Sequence, residues 1–406
     1  MFRTFLFWTH LVAGVVVGVL VLVMSFTGVV LTYEKQINLY IDTRAVHYAP
    51  PQGGGTRLGA EALLNQAVTA GLRPSSITLR ADDARPASIS TPSETGRGER
   101  TRYVDPYSGA VLGEGSASTR QLFRTMEDWH RWLGREGSSR GTGKMLNDVS
   151  NLLFLFIVVS GLYLWMPRSW TKTQVRQVLW FRGGLPARAR DFNWHHVIGF
   201  WCCVPLFVVV LAGVVMSYGW AGDLVFRAVG EAPPQRPTGP TGPGGPGGPP
   251  GAGEARGEGR PGEGRPGGGA RGGQTVNAEA WAGLDALVTQ AQAHRTDWQT
   301  LTVRLPRQTD SPVSISVDAG MGGEPQKRDS LTFDRAGAIT RVDRFSDGSP
   351  GRQWRTFFRF AHTGEYWGAL GQTIAGLASL GACVLFYTGI ALSWRRFRSW
   401  QVRAAR

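Results

Sequence analysis

The sequence predicts an α-helical membrane protein: four transmembrane helices in a bundle plus two small α+β modules, arranged as an internal twofold repeat. Two observations predict this fold class. Apolar residues collect in runs long enough to cross a bilayer as helices, and the chain between them repeats the same order of a helix followed by short alternating strands. The apolar runs cover about residues 5–32, 147–166, 197–218 and 369–394.

The same patterns divide the chain into segments. The first apolar run is too long for a signal peptide and is predicted to be a retained membrane helix. One tract is rich in Gly, Pro and Arg, so it cannot bury a core and is predicted to be a disordered linker. In order, the predicted segments are helix 1–34, module 35–118, interfacial segment 119–146, helix 147–167, basic loop 168–194, helix 195–220, linker 231–273, module 274–348, interfacial segment 349–365, helix 366–394 and basic tail 395–406.

The positive charge of the chain predicts its orientation. The formal net charge is +14, and the excess lies in the loop at 168–194 and the tail at 395–406. Short basic loops next to membrane helices stay in the cytoplasm. Both termini and this loop are therefore predicted to be cytoplasmic, and the two modules to lie on the other side. Orientation accounts for the charge, so no nucleic acid partner is predicted.

Histidines and glycines recur on the predicted helices in a fixed phase. Gly14 follows His10 by one turn, and Gly28 follows it by eighteen residues, which is five turns. His10 and Gly28 therefore share a helix face and lie about 27 Å apart, close to the thickness of a bilayer's hydrocarbon core. The same spacing returns in the third run, at His195, Gly199 and Gly213.

Two further histidines, His130 and His362, precede the second and fourth helices in aromatic and basic segments. Neutral imidazole is a common axial ligand of haem iron, and two imidazoles leave no open position, which suits electron transfer. Zinc is the weaker alternative, because zinc takes four close ligands. The sequence therefore predicts two haem sites: His10 with His195 on the cytoplasmic side, and His130 with His362 on the external side.

The neighbours of these histidines refine the prediction. His196 lies about 100° away from His195 around the helix, so His195 is the predicted iron ligand and His196 its substitute. Gly14, Gly134 and Gly199, each one turn after a histidine, would leave room for a porphyrin beside the helix. Late in each run a small residue precedes a glycine, which permits close approach of either a helix or a flat ligand. These pairs are Thr27-Gly28, Ser160-Gly161, Ala212-Gly213 and Thr388-Gly389.

Several motifs together resemble a known family. They include THLVAGVVVG, RYVDPYSGAVLG, DWHRWLG, SGLYLWMPR, WHHVIGFW, LTFDRAGAI and RFAHTGEYWGALGQTIAGLASLG. This sequence resembles the PepSY-associated transmembrane-helix proteins, particularly the ferrioxamine-reductase-like inner-membrane siderophore reductases. The resemblance implies PepSY-like periplasmic modules, the bacterial inner membrane and two b-type haems. For some members it implies reduction of ferric siderophores at the periplasmic face.

The expected function is therefore that of a di-haem b protein that reduces an Fe(III)-siderophore and releases Fe(II). No dinucleotide fingerprint follows a strand, so a cytoplasmic flavoprotein or quinol is expected to supply electrons. Two alternatives stay open: a quinone-linked haem carrier for another acceptor, and a non-enzymatic PepSY-based binding or inhibitory platform. No catalytic residue is assigned. The candidate acceptor-docking residues, whose alternative role is interfacial anchoring, are Trp129, Trp132, Trp354, Arg355 and Arg359.

Overall fold

The computed structural model describes residues 1–92, 99–167, 171–234, 281–306, 311–334 and 336–404. These residues form two compact units. We call them the helical unit, which lies within Met1–Glu34, Gln121–Gly251 and Trp354–Arg406, and the sheet unit, which lies within Lys35–Arg120 and Ala252–Gln353. The predicted linker at 231–273 falls outside the described residues from residue 235 onward.

Eleven α-helices occur in the described residues. Four of them, α1, α5, α7 and α11 as numbered below, are long and apolar enough to cross a membrane, which confirms the four predicted spans. The helices are α1 (Phe2–Leu31), α2 (Glu34–Ala45), α3 (Ala60–Thr69), α4 (Ala117–Trp132), α5 (Arg140–Trp165), α6 (Lys172–Leu179), α7 (Ala187–Ser217), α8 (Gly219–Ala228), α9 (Leu284–His294), α10 (Pro350–His362) and α11 (Gly368–Ala404).

The four long helices pack in the cyclic order α1, α5, α7, α11, each against two neighbours. Their shared core holds Val21, Phe154, Leu206 and Ala378, all largely buried. α1 and α11 approach closely at Gly18, where a Cβ atom would lie 2.6 Å from the ring of Phe386. A glycine at this position therefore lets an aromatic ring of α11 lie directly against the backbone of α1.

The described residues of the sheet unit form one antiparallel sheet of eight strands in the order β4-β3-β2-β1-β5-β6-β7-β8. The two predicted modules supply four strands each, and they join where β1 pairs with β5. The sheet is therefore continuous across both modules. Its strands are β1 (Ser76–Arg80), β2 (Ala87–Pro92), β3 (Glu99–Val104), β4 (Val111–Gly113), β5 (Thr300–Arg304), β6 (Val313–Asp318), β7 (Arg328–Phe333) and β8 (Ile339–Arg344).

The reason for the join lies at the strand edges. Ile77 of β1 pairs with Val303 of β5, and both side chains are fully buried. An apolar edge strand left open would template pairing with another chain, and a four-stranded module is too small to bury much surface alone. Pairing β1 with β5 removes both edges and gives α3 and α9 a common core.

A buried carboxylate fastens α2 to the rest of the sheet unit. Asp42 is 3% exposed and accepts hydrogen bonds from the Tyr103 hydroxyl at 2.9 Å, the Ser116 backbone N–H at 2.7 Å and the Arg120 guanidinium at 2.8 Å. Gly115 has a φ of +76°, and a Cβ atom there would clash with the Asp42 carboxylate. Burial, and next the Asp42 charge, raise the pKa of Tyr103, so its hydroxyl remains a donor.

Replacing this carboxylate tests its contribution to stability. Asp42→Ala leaves the Tyr103 hydroxyl and the Ser116 N–H without their acceptor, so we expect the free energy of unfolding to fall by about 2 kcal/mol. Thermal unfolding of the full chain in detergent measures this change. The control is Asp343→Ala, which removes an exposed ion pair with Arg341 and should cost less than about 0.5 kcal/mol. Equal losses in the two variants would contradict the assignment.

Candidate functional site

Two histidines at the ends of short amphipathic helices approach each other in the helical unit. His130 lies near the end of α4, and His362 ends α10. The centroids of their rings are 6.1 Å apart, with the ring planes at 57°. Nδ1 of His130 is 2.9 Å from Oγ1 of Thr27, and Nδ1 of His362 donates to the carbonyl of Val209 at 2.8 Å.

This separation suits a shared metal ion. An imidazole nitrogen binds a metal at about 2.0 Å, so two rings that bind one ion from opposite sides have centroids about 6 Å apart. Both Nδ1 atoms are already bonded, which leaves Nε2 of each ring as the available ligand atom among the described contacts. The donor set therefore fits a metal ion that these two imidazoles would share.

The electrostatics of this pair favour neutral rings. Burial lowers the pKa of His130 to about 4, and the neighbouring His362 contributes further to the shift. Burial also lowers the pKa of His362. Both residues lie on helices outside the four candidate spans. Neutral imidazole is the form that binds metals, so the surroundings already hold both rings in the form that a ligand needs.

The second predicted pair, His10 and His195, lies on α1 and α7. Nδ1 of His10 is 2.8 Å from Oγ of Ser160 on α5, and Nδ1 of His195 is 2.9 Å from Oγ1 of Thr388 on α11. His10 and His195 are close enough to interact electrostatically. The two pairs meet α1 at distant positions. His10 belongs to this pair, and Thr27 bonds His130 of the other pair. Seventeen residues separate His10 from Thr27, which corresponds to about 25 Å.

The small-residue–glycine pairs turn out to contact the histidines. In three of the four pairs the hydroxyl bonds Nδ1 and the glycine backbone lies against the same ring. A Cβ atom on the glycine would lie 3.3 to 3.6 Å from Cε1 of the ring. We call these three pairs the imidazole seats. They are Ser160-Gly161 beneath His10, Thr388-Gly389 beneath His195 and Thr27-Gly28 beneath His130.

The fourth pair, Ala212-Gly213, has no hydroxyl. His362 bonds the backbone carbonyl of Val209 instead, and a Cβ atom at Gly213 would lie 2.8 Å from the amide of Asn151. Gly213 thus serves close packing of α7 against α5. Sequence reasoning did not identify the seats, although the repetition of a hydroxyl residue before glycine in three helices was the available signal.

Of the three glycines that follow a histidine by one turn, Gly134 has no space beside it, because a Cβ atom there would lie 2.8 Å from the Trp129 ring. The other two are more open. A Cβ atom at Gly14 would meet no described atom within 4 Å, and one at Gly199 would meet Leu385 at 3.7 Å. A flat group therefore has room next to the backbone at Gly14, whereas at Gly199 it would share the space with the Leu385 side chain. His196 differs from His195 because its Nδ1 donates to the carbonyl of Phe192 on its own helix, at 3.0 Å. It has no seat on another helix.

Of the predicted docking residues, Trp132 is held in place by cations. The Arg140 guanidinium lies 3.5 Å from its ring centroid and that of Arg131 lies 4.4 Å away. Arg140 is further fixed by Asp128, at 3.0 Å. Each cation–π contact of this kind contributes about 0.5–2 kcal/mol of stabilisation. The two arginines therefore hold the Trp132 ring in place.

The other predicted docking residues are more open or differently engaged. Trp129 and Trp354 are exposed by 45% and 49%. The Arg359 guanidinium lies 5.4 Å from the ring of Phe360, and Arg355 lies one turn before it on α10. Aromatic and basic side chains of this kind are typical of a membrane–water interface, and their role in binding an acceptor stays a prediction.

Fold and site together define a membrane protein of four candidate spanning helices and an antiparallel sheet unit, with histidines seated between its helices. The chain matches the family model described as PepSY-associated TM region over residues 7–396. It therefore belongs to that family, which confirms the resemblance at family level. A search of the curated proteins gives no match. The narrower siderophore-reductase class stays a prediction.

The different surroundings of Gly213 and Gly14 can be tested. Gly213→Ala forces the Asn151 side chain to move and weakens its 3.3 Å hydrogen bond to the carbonyl of Val210, so we expect a loss of about 1 kcal/mol. Gly14→Ala introduces the same methyl group into open space and should not destabilise protein prepared without a cofactor. Denaturation of the full chain in mixed detergent measures both. A larger loss for Gly14→Ala would contradict these contacts.

Proposed function

We propose that this protein is a di-haem b electron-transfer protein that reduces a ferric siderophore at the periplasmic face of the bacterial inner membrane. Electrons come from a cytoplasmic flavoprotein or from quinol. The observation that carries the proposal is the pair His130 and His362, with ring centroids 6.1 Å apart and both Nδ1 atoms bonded to other helices. Family membership supports it, since the chain belongs to the PepSY-associated TM family.

The residues present fit two haem groups, which would supply one-electron redox chemistry. His130 and His362 would bind one iron through Nε2, and His10 and His195 the other. Two imidazoles per iron leave no open position, which favours electron transfer over oxygen binding. The space beside Gly14 would suit the flat porphyrin edge, because no described side chain lies within 4 Å of a Cβ atom there. The hydroxyl residues of the imidazole seats are buried, so water is excluded from their hydrogen bonds to the histidine rings.

Two haems are needed because of the thickness of the membrane. The hydrocarbon core is about 30 Å thick, and the two histidine pairs contact α1 at positions about 25 Å apart. A single haem near one end would leave the electron most of this distance to cross. We propose that the electron enters at His10 and His195 and leaves from His130 and His362. The basic loop and tail support cytoplasmic termini, with the two modules in the periplasm.

Reduction itself would release the metal from its chelator. Siderophores bind iron through hard oxygen donors, which hold Fe(II) less tightly than Fe(III). The chain therefore has no need to transfer protons or to form a covalent intermediate. The exposed rings of Trp129 and Trp354, together with nearby arginines of α4 and α10, are the proposed surface for an acceptor. An acceptor bound to this surface would lie beside the pair His130 and His362.

Haem stoichiometry tests the pairing. Wild-type protein should contain two b-type haems per chain, measured as the pyridine haemochrome against protein concentration. His130→Ala or His362→Ala should each reduce this to one, because one imidazole alone gives weak ligation, while the haem at the other pair is retained. His47→Ala, at an exposed turn of the sheet unit, is the matched control and should retain two. Wild-type stoichiometry in both single variants would refute the pairing.

Reoxidation tests the acceptor. Protein reduced with dithionite, freed of excess reductant and mixed with a ferric hydroxamate chelate should lose its reduced α-band while Fe(II) appears in a ferrozine assay. His362→Ala should slow this reaction while the remaining haem stays reducible. Haem that is reduced normally but is not reoxidised by any ferric chelate would favour a quinone-linked carrier for another acceptor. Purified protein with no Soret band would instead favour a binding or inhibitory platform.

A further inference from the structure

We propose that three buried hydroxyls, those of Thr27, Ser160 and Thr388, are positioning residues that hold their histidines in the Nδ1–H tautomer. This tautomer commits the Nε2 lone pair to the iron. The inference rests on the proposed function and extends it from the iron ligands to the residues that orient them. The three side chains are each at most 3% exposed, so water does not compete for these bonds.

The tautomer follows from counting hydrogens at Thr27. A hydroxyl has one hydrogen to donate and can accept two hydrogen bonds. Oγ1 of Thr27 lies 2.7 Å from the carbonyl of Val23 and 3.1 Å from that of Met24. A carbonyl can only accept, so the hydroxyl hydrogen goes to the helix backbone. The remaining contact, to Nδ1 of His130, must therefore be one in which the ring donates.

The same count holds at the other two seats. Oγ of Ser160 donates to the carbonyl of Ile157 at 3.2 Å, and it then accepts from Nδ1 of His10. Oγ1 of Thr388 donates to the carbonyl of Val384 at 2.9 Å, and it then accepts from Nδ1 of His195. Each seat therefore specifies one protonation pattern through side-chain chemistry alone.

At His362 the acceptor is a backbone carbonyl, that of Val209, which permits only the same tautomer. The two metal sites therefore differ in construction. The pair His10 and His195 depends on two hydroxyls, whereas the pair His130 and His362 depends on one hydroxyl and one carbonyl. Side-chain substitution can remove both acceptors of the first site but only one of the second.

The physical effect of a seat is to orient and strengthen the ligand. A hydrogen bond from the second ring nitrogen fixes the tautomer and the ring plane, and it raises the basicity of the ligating nitrogen. Loss of such a partner commonly weakens metal binding by about 10–100-fold. The glycine of each seat contributes in a different way, because it allows the ring to lie against the helix.

The experiment uses the full chain with Thr27→Val, Ser160→Ala and Thr388→Val. Potentiometric titration and EPR of the low-spin haems are the readouts. We expect Ser160→Ala and Thr388→Val to shift the midpoint potential and g-values of one haem, and Thr27→Val to shift those of the other. The affinity of the affected site for haem should fall about 10–100-fold. Thr27→Ser and Ser160→Thr, which keep a hydroxyl, should restore wild-type values.

The matched control is Ser150→Ala. Ser150 is as buried as Ser160 on the same helix, at 1% exposure, and its hydroxyl likewise donates to a backbone carbonyl, that of Leu146 at 2.7 Å. It contacts no histidine in the described structure, so its removal should leave both haems unchanged. Equal shifts in Ser150→Ala and Ser160→Ala, or unchanged potentials in all three seat variants, would overturn the proposal.

A measurement that needs no haem separates this inference from the proposed function. Nitrogen-15 NMR of histidine-labelled, haem-free protein distinguishes a protonated Nδ1 from an unprotonated one. Each seat variant should release one ring from the Nδ1–H form, and Ser150→Ala should release none. If wild-type protein binds no haem, the proposed function fails and this spectrum alone decides the inference. A spectrum identical in wild type and Thr27→Val would overturn it.

Discussion

Hydrogen bonds between imidazole Nδ1 atoms and neighbouring helices are the constraint on which the helical unit depends. A polar ring buried among packed helices must find a hydrogen-bond partner, because an unpaired buried polar group is costly. Each of the four bonds joins two different helices: α1 to α5, α7 to α11, α4 to α1 and α10 to α7. The bonds therefore fix the mutual rotation of helices that apolar packing alone would leave free to turn.

The four spans could be predicted from hydropathy, but their ends could not. The third helix begins at Ala187, before the apolar run, because Asp191 is fully buried between Arg190 and Arg395, at 2.9 and 2.6 Å. This ion pair joins α7 to the end of α11, which continues to Ala404. An apolar pattern identifies the part of a helix that suits lipid. The helix can extend beyond that part through charged residues, whose ion-pair partners lie far away in the sequence and cannot be predicted from the pattern.

The site was predictable in part for a similar reason. Helical phase links His10 to Gly28 and His195 to Gly213, because residues on one helix have a fixed geometry. No such relation connects Ser160 to His10, which lie on different helices and are 150 residues apart. The same limit applies to the sheet. Alternating apolar residues identified both modules. They could not show that β1 would pair with β5, because the pattern of each strand is equally consistent with an unpaired strand at the edge of a sheet.

The pairing of β1 with β5 has a consequence for the order of assembly during synthesis. Thr78 and Thr302 face each other across the join although 224 positions separate them, and two membrane helices lie between them in the chain. The first half of the sheet therefore leaves the ribosome long before its partner strand exists. Until then its apolar edge is open to proteases and to wrong partners, which makes synthesis of the second half the step that completes and protects the domain.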